Sequence, residues 1–384
     1  MSRIVSEVEK SGFGMEAIQA LFNDLDQRLR VADGLRALGN YQARFGEDSK
    51  TTGWYRNHAG LEELGEGLEG IQSALAATWE WIKKALRALI ALMKGVFKSR
   101  GERIDELGAK ITKIGKAIKS GTGMEDVATM SRSQPRQITV EPWMVNLTAG
   151  ETRVTPASFG RELNALVTTM NGVLGAWLKG LNAVTKVNFD IQGTIFEAEK
   201  NQGKANLAEI EATVTRGLSA GLAEASVELG FRPKLMGTYE FVIPDDKTKG
   251  AYLSKSGETR LREVSVEDMA SSMSAINNGI MGLVNIFGSH GTSSGFMKKL
   301  ETDIANTEMN MKHHESGGSA LQAKYHRQTL QIYRYFTEQY EALQKYVYSV
   351  LEAGKRYMML SFKSGTEELT NDDVLDYTNW GSLF

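Results

Sequence analysis

The chain has 384 residues, 41% of them apolar and 24% charged, so it can bury a core without covalent staples. It contains no cysteine, which excludes a disulfide framework, thiolate metal sites and cysteine nucleophiles. The net charge of -2 argues against nucleic-acid binding by the chain as a whole.

The opening MSRIVSEVEK has no basic-then-apolar run, so no signal peptide is expected. Ile4, Val5 and Val8, then Ile18, Leu21, Phe22, Leu25, Leu29 and Leu38, follow the spacing of amphipathic helix, divided by Gly12 and Gly14. A polar loop is expected from Gly46 to Gly53. A long helix is expected from about Leu61 to Phe97, acidic at its start and basic at its end, as the helix dipole favours. Ser99 and Gly101 are read as its break. A second helix then runs from Glu102 to Lys119, with Ile104, Leu107, Ile111, Ile114 and Ile118 as a narrow apolar seam.

The stretch 120–137 is poor in apolar residues and carries Gly121, Gly123 and Pro135, which marks a linker. ITVEPWMVNL has a short strand-like run. Thr155 and Pro156 signal a helix start, with Leu163, Leu166, Val167, Met170, Val173, Leu174, Trp177 and Leu178 as its apolar face. Another helix is expected over 206–228. Alternation around Tyr239, Phe241 and Ile243 then predicts a small antiparallel insert. Ser265 and Asp268 have the spacing of a capping box. The helix after it presents Met269, Met273, Ile276, Ile280, Leu283, Val284 and Phe287. Gly288 to Gly295 reads as a mobile loop, Phe296 to about Glu315 as helix, and about Ala320 to Met359 as a last, aromatic helix.

The most distinctive surface is basic. Lys83, Lys84, Arg87, Lys94, Lys98, Arg100, Arg103, Lys110, Lys113, Lys116 and Lys119 stand against only Glu102, Asp105 and Glu106 between Trp81 and Lys119. Trp79, Trp81, Ile82, Leu86, Leu89, Ile90 and Phe97 give the same region an apolar face. Three readings fit: a membrane-surface helix, phosphate contacts with DNA, or a helix packed on its own domain with a solvated basic face. The run around Ala85 to Phe97 is too short and too charged to span a membrane.

Other chemistry is sparse. The histidines are His58, His290, His313, His314 and His326. His313 and His314 precede Glu315, but adjacent helical residues point about 100° apart, which suits a solvated pair better than one metal ion. GSHGTSSG, from Gly288, follows a helix rather than a strand, the wrong context for a phosphate loop. Tyr325, Tyr333, Tyr335, Tyr340, Tyr346 and Tyr348 read mainly as core of the last helix, with base stacking as the lesser alternative. Asp245 with Asp246, and Asp372 with Asp373, suit local turn and cap bonding.

The order of elements carries a resemblance. TWEWIKKALRALIALMKGVFKSRGERIDELGAKITKIGKAI ends an N-terminal amphipathic region. A helical body follows, then a strand insert with YLSKSGE, then REVSVEDM and the aromatic helix. This layout, over most of the chain, resembles the internal virion structural proteins of large tailed bacteriophages. The resemblance implies a position inside the head and an N-terminal propeptide, cut by a maturation protease after a glutamate two positions beyond a small residue. Gly67-Leu68-Glu69, Gly123-Met124-Glu125 and Ala149-Gly150-Glu151 fit, and Glu125 lies in the linker, where cleavage is easiest.

The expected fold is mainly α, with long helices forming a bundle-like body and a small antiparallel β insert at about 231–262. The expected order is a helical region over 1–125 as candidate propeptide, a linker at 126–137, a body over 138–364 and a tail at 365–384. The resemblance implies a non-enzymatic internal head protein, assembling with itself, other virion proteins or packaged DNA, in the host cytoplasm and then the virion interior. No catalytic residue, cofactor or metal is expected. The alternative is a membrane-binding or effector protein acting through the basic amphipathic region 79–119.

Overall fold

The computed structural model describes residues 14–45, 68–123, 155–200, 234–236, 240–242, 264–312 and 320–361. These residues are mainly helical. The helices are α1 (Met15–Phe45), α2 (Leu68–Ser120), α3 (Pro156–Lys200), α4 (Val266–Phe287), α5 (Ser294–Lys312) and α6 (Ala320–Leu360). Two three-residue strands, β1 (Lys234–Met236) and β2 (Glu240–Val242), pair antiparallel with Leu235 opposite Phe241. Among the described residues this pair is all there is of the expected insert, and the rest of 231–262 lies outside them. The expected loop from Gly46 to Gly53, the strand-like ITVEPWMVNL and the helix over 206–228 lie outside them too.

Local signals set the helix ends. At the start of α3 the Thr155 hydroxyl accepts from the Ser158 amide at 3.1 Å, and Ser158 Oγ accepts from the Thr155 amide at 2.9 Å. Pro156, which has no amide proton to satisfy, takes the first helical position. Ser265 Oγ accepts from the Asp268 amide at 3.1 Å, capping α4. The C-terminus of α2 closes on Gly121 at φ 67°, whose amide donates to Ala117 O at 2.9 Å. That left-handed cap favours glycine.

The break expected at Ser99 and Gly101 is absent, and α2 is one helix of 53 residues. Gly101, Gly108 and Gly115 recur every seven residues along it. A β-carbon on Gly101 would lie 2.7 Å from Ser289 Cα and N. One on Gly108 would lie 2.5 Å from a Val284 methyl, and one on Gly115 would lie 2.7 Å from Met273 Cε. These glycines are where α4 and the residues after it come close. Each costs the helix about 1 kcal/mol of propensity. The buried Ile104, Leu107, Ile111, Ile114 and Ile118 beside them contribute roughly 1.5–3 kcal/mol apiece, so packing overrides propensity.

The chain divides into two compact units, and each combines stretches from both sides of the expected linker. Unit 1 holds Met1–Phe97, Leu178–Gly221 and Phe296–Glu338. In it α1 lies antiparallel to α2: Leu35 and Leu38 pack with Ile71, and the Arg28 guanidinium sits 5.0 Å above the Trp81 ring. Arg327 Nε of α6 donates to Asp26 Oδ1 at 2.9 Å, and Arg334 donates to Asn23 Oδ1 at 2.6 Å. Phe296 and Phe336 meet edge to face at 5.8 Å. Leu178, expected on the buried face of α3, is exposed.

Unit 2 holds Lys98–Trp177, Leu222–Gly295 and Gln339–Phe384. Here α4 runs antiparallel to α2 along the glycine seam and parallel to α3. A β-carbon on Gly279 or Gly282 would lie within 2.6 Å of Leu163 or Val167, and one on Gly160 would lie 2.9 Å from Ala275 Cβ. Asn164 Nδ2 donates across the same contact to Ala275 O at 2.8 Å. The α6 side is closed by Tyr357, edge-on to Phe159 at 5.2 Å. All seven apolar residues expected to face inward from α4 are buried.

The loop after α4, expected to be mobile, is pinned instead. The Ser289 amide and hydroxyl both donate to Asp105 Oδ2, at 2.9 and 2.6 Å. Ser293 is buried and shares a 2.7 Å hydrogen bond with the Tyr340 hydroxyl. Burial pushes the Tyr340 hydroxyl up to about 12, so it stays a neutral partner at physiological pH.

One group in unit 1 works against stability at neutral pH. Asp33 is half-buried on α1, and one carboxylate oxygen makes no hydrogen bond. Burial pushes it up to about 6, against the lowering pull of Arg36 and Arg327. Its folded value lies above the ordinary 3.8, so its contribution is full below pH 3.8 and is lost as pH rises through about 6. Asp33→Asn is expected to raise stability above pH 6 by about 1 kcal/mol, after allowing for solvent screening. Urea unfolding across pH checks this. A gain that persisted unchanged in acid would point away from the carboxylate.

Candidate functional site: the basic surface of helix α2

The apolar side of α2 turns into the fold. Trp79, Ile82, Leu86, Leu89, Val96 and Phe97 are buried in unit 1, and Ile104, Leu107, Ile111, Ile114 and Ile118 in unit 2. What remains for a partner is the polar side. The structure splits its cations into two groups that composition does not distinguish.

The first group is used inside the molecule. Lys83 is buried, with Nζ 2.7 Å from Glu80 Oε1. Arg87 reaches Glu308 Oε1 of α5 at 2.6 Å, and Lys94 reaches Glu301 Oε2 at 3.3 Å. Positions 87 and 94 pair with 308 and 301, so α2 and α5 are antiparallel and these ions set their register. Burial pushes the Glu301 carboxyl up, with Lys94 acting against it. Arg100 reaches Glu341 of α6 at 2.7 Å, where Lys345 shares the carboxylate at 2.9 Å. Lys98 lies 3.9 Å from Glu102 on the same helix.

The second group faces outward. Arg103, Lys110, Lys113, Lys116 and Lys119 are exposed and form no ion pair among the described residues. Lys84 is exposed in the same way, but it stands alone among paired residues. From residue 107 to 120 α2 contains no acid. Lys110, Lys113, Lys116 and Lys119 recur every three residues, so they climb about 14 Å while winding around the helix. The helix dipole accounts for Lys119 and at most Lys116, because its effect fades within the last turn. Lys110 and Lys113 lie beyond that reach.

The remaining expected residues have other places. His290 is exposed, and His326 is buried in the core of unit 1. His58, His313, His314 and Glu315 lie outside the described residues. No group of three or more His, Asp or Glu placed to hold a metal ion occurs among the described residues. Tyr333 and Tyr340 are buried, as a core reading of α6 requires. At the candidate cleavage site Gly123 is exposed at φ 75°, while Met124 and Glu125 lie outside the described residues. Gly67 lies outside them as well, but Leu68 and Glu69 of the triplet Gly67-Leu68-Glu69 are in the first turn of α2, whose wound backbone is poorly suited to a protease.

Two polar clusters had no signal in the sequence. One is the Asp105–Ser289 clasp. The other is a part-buried triad in unit 1 around the buried Asp303, where Thr185 Oγ1 of α3 donates to Asp303 Oδ2 of α5 at 2.9 Å and Lys299 Nζ donates to Thr185 Oγ1 at 2.7 Å. Lys299 also pairs directly with Asp303. Each joins residues more than a hundred positions apart, or depends on such a contact, so spacing along the chain does not mark them.

No helix among the described residues is long and apolar enough to cross a membrane. No family model matches the chain, and neither a curated protein nor a solved structure is detectably similar to it.

Proposed function

We propose that this chain is a non-enzymatic structural component of a phage particle, an internal head protein that assembles with copies of itself, other virion proteins or packaged DNA. It is made in the host cytoplasm and carried into the head. The layout of elements supports this reading, and one observation carries it furthest. A single 53-residue helix is packed along its apolar side through both units and leaves a row of lysines outward. Such a helix is a building part with a contact surface. The alternative, an effector inserting the region 79–119 into a membrane, draws less support, because interfacial insertion needs a free apolar face and that face of α2 is mostly buried, with only Trp81 and Ile90 half-buried.

The packing also constrains the propeptide. A cut after Glu125 would sever the chain beyond α2, yet α2 contributes core to both units. Cleavage of the folded chain therefore leaves a nicked, non-covalent complex, and release of α1 and α2 requires cleavage before folding or unfolding afterwards.

Intact mass and N-terminal sequencing of the protein from its natural source test this reading. The expected result is recovery from particles of a chain beginning at Asp126, with residues 1–125 either lost or retained as a bound fragment. A full-length chain found only free in the cytosol would overturn both the virion role and the processing.

A further inference from the structure

We propose that Lys110, Lys113, Lys116 and Lys119 form a contact site for the phosphate backbone of duplex DNA, without sequence preference. This deepens the structural reading by choosing among its partners, and rests on it only for where the contact occurs. The surface itself is argued from the structure. All four lysines are exposed, and none forms an ion pair among the described residues. The nearest acids on α2 lie upstream: Asp105 is occupied by Ser289, Glu102 faces Lys98, and Glu106 is exposed. On α4, Glu267 and Asp268 in the first turn make no ion pair with the row.

Length and chemistry select the partner. The row climbs about 14 Å and turns through about 180° of α2, so the helix laid against a duplex reaches phosphates on either side of a groove, about four in all. The other exposed residues between 109 and 120 are Ala109 and Ser120. Neither an aromatic ring for stacking on an unpaired base nor an arginine, asparagine or glutamine for reading a base edge is present there. That favours duplex over single strands, and backbone contact over sequence readout. An anionic membrane is the other polyanion to consider. With Ile111, Ile114 and Ile118 buried, the row has no apolar face to insert beside its charges.

The test measures binding of the full-length chain to a short duplex of scrambled sequence by fluorescence anisotropy over a salt series. Four phosphate contacts give a slope of log affinity on log salt of about -3.6, a loss on the order of 100-fold between about 50 and about 200 mM salt. The variant K110Q/K113Q/K116Q/K119Q is expected to lose most of that slope and at least about tenfold in affinity at the low-salt end. K84Q/K98Q, which removes two exposed charges from the same helix and leaves its ion pairs to α5 and α6 intact, is expected to keep the slope. Glutamine matches lysine in helix propensity, so the row variant should keep its fold, and the wild-type slope tests the proposal independently. No binding at low salt, or equal slopes for the wild type and the row variant, would overturn it. So would row-dependent binding to phosphatidylserine–phosphatidylcholine vesicles without row-dependent binding to DNA. Failure here with the chain still found in particles removes the DNA contact and leaves the structural role standing.

Discussion

Gly101→Ala is expected to lower the stability of the chain by about 2 kcal/mol, although the same change in an open helix raises it by about 1 kcal/mol. The reversal comes from what the new methyl group meets. A β-carbon at position 101 would lie 2.7 Å from both Ser289 Cα and Ser289 N, and 2.9 Å from Gly288 C. All three are backbone atoms. They are held where they are by the Asp105 carboxylate, which accepts from the Ser289 amide and hydroxyl, and by the buried Ser293–Tyr340 bond four residues on. Moving the backbone away breaks that clasp, and leaving it in place costs overpacking. Gly108 is the milder case, since its closest neighbours are Val284 methyls rather than backbone. Gly175 of α3 supplies the control, because nothing lies within 4 Å of a β-carbon there. Gly175→Ala should therefore stabilise by roughly 0.5–1 kcal/mol. Urea unfolding of the two variants separates position from propensity. If Gly101→Ala proved as stable as Gly175→Ala, the close approach of the 288–289 backbone to α2 would be wrong.

Lys299→Met is expected to cost about 3 kcal/mol at neutral pH, because it leaves Asp303 buried with its cation gone. Thr185 still donates one hydrogen bond, which cannot replace a charge partner. Burial already pushes the Asp303 carboxyl above its ordinary 3.8, with Lys299 and Thr185 pulling it down. Removing Lys299 pushes it higher still. A carboxyl raised in the folded state contributes fully below its unfolded value and loses that contribution as pH rises through its folded value. The variant's deficit should accordingly shrink as acid protonates Asp303. Asp303→Asn in the same background should recover most of the loss at neutral pH, since a neutral amide oxygen still accepts from Thr185. Unfolding midpoints for the single and double variants in neutral and acid buffer check both statements. A deficit independent of pH would mean that lost packing by the lysine stem, rather than the stranded carboxylate, sets the cost.

Most helix faces among the described residues were legible along the chain. A helix repeats every 3.6 residues whatever it packs against, so Ile18 to Leu38, Ile104 to Ile118 and Met269 to Phe287 mark their buried sides in advance. The caps at Thr155 and Ser265 were legible for a related reason: they bond to amides three residues away and need nothing distant. The basic surface was visible as composition, but its division was not. Arg87, Lys94 and Arg100 differ from Lys110, Lys113 and Lys116 only in having carboxylates of α5 or α6 brought beside them, from more than two hundred residues further along the chain.

Glycine shows the same boundary most clearly. Read locally, Gly101 weakens a helix and signals its end, and Gly288 to Gly295 signals a mobile loop. In the folded chain the two meet, and the missing side chain of the first lets the backbone of the second sit against α2. Among the described residues, the sequence by itself determined where most helices lie, where several of them start and which sides are apolar, because those preferences act within a turn or two. Only the tertiary structure decided that α2 is continuous, that the loop is pinned and which lysines face outward. Close packing and charge pairing depend on the atoms a side chain meets, and those come from distant parts of the chain.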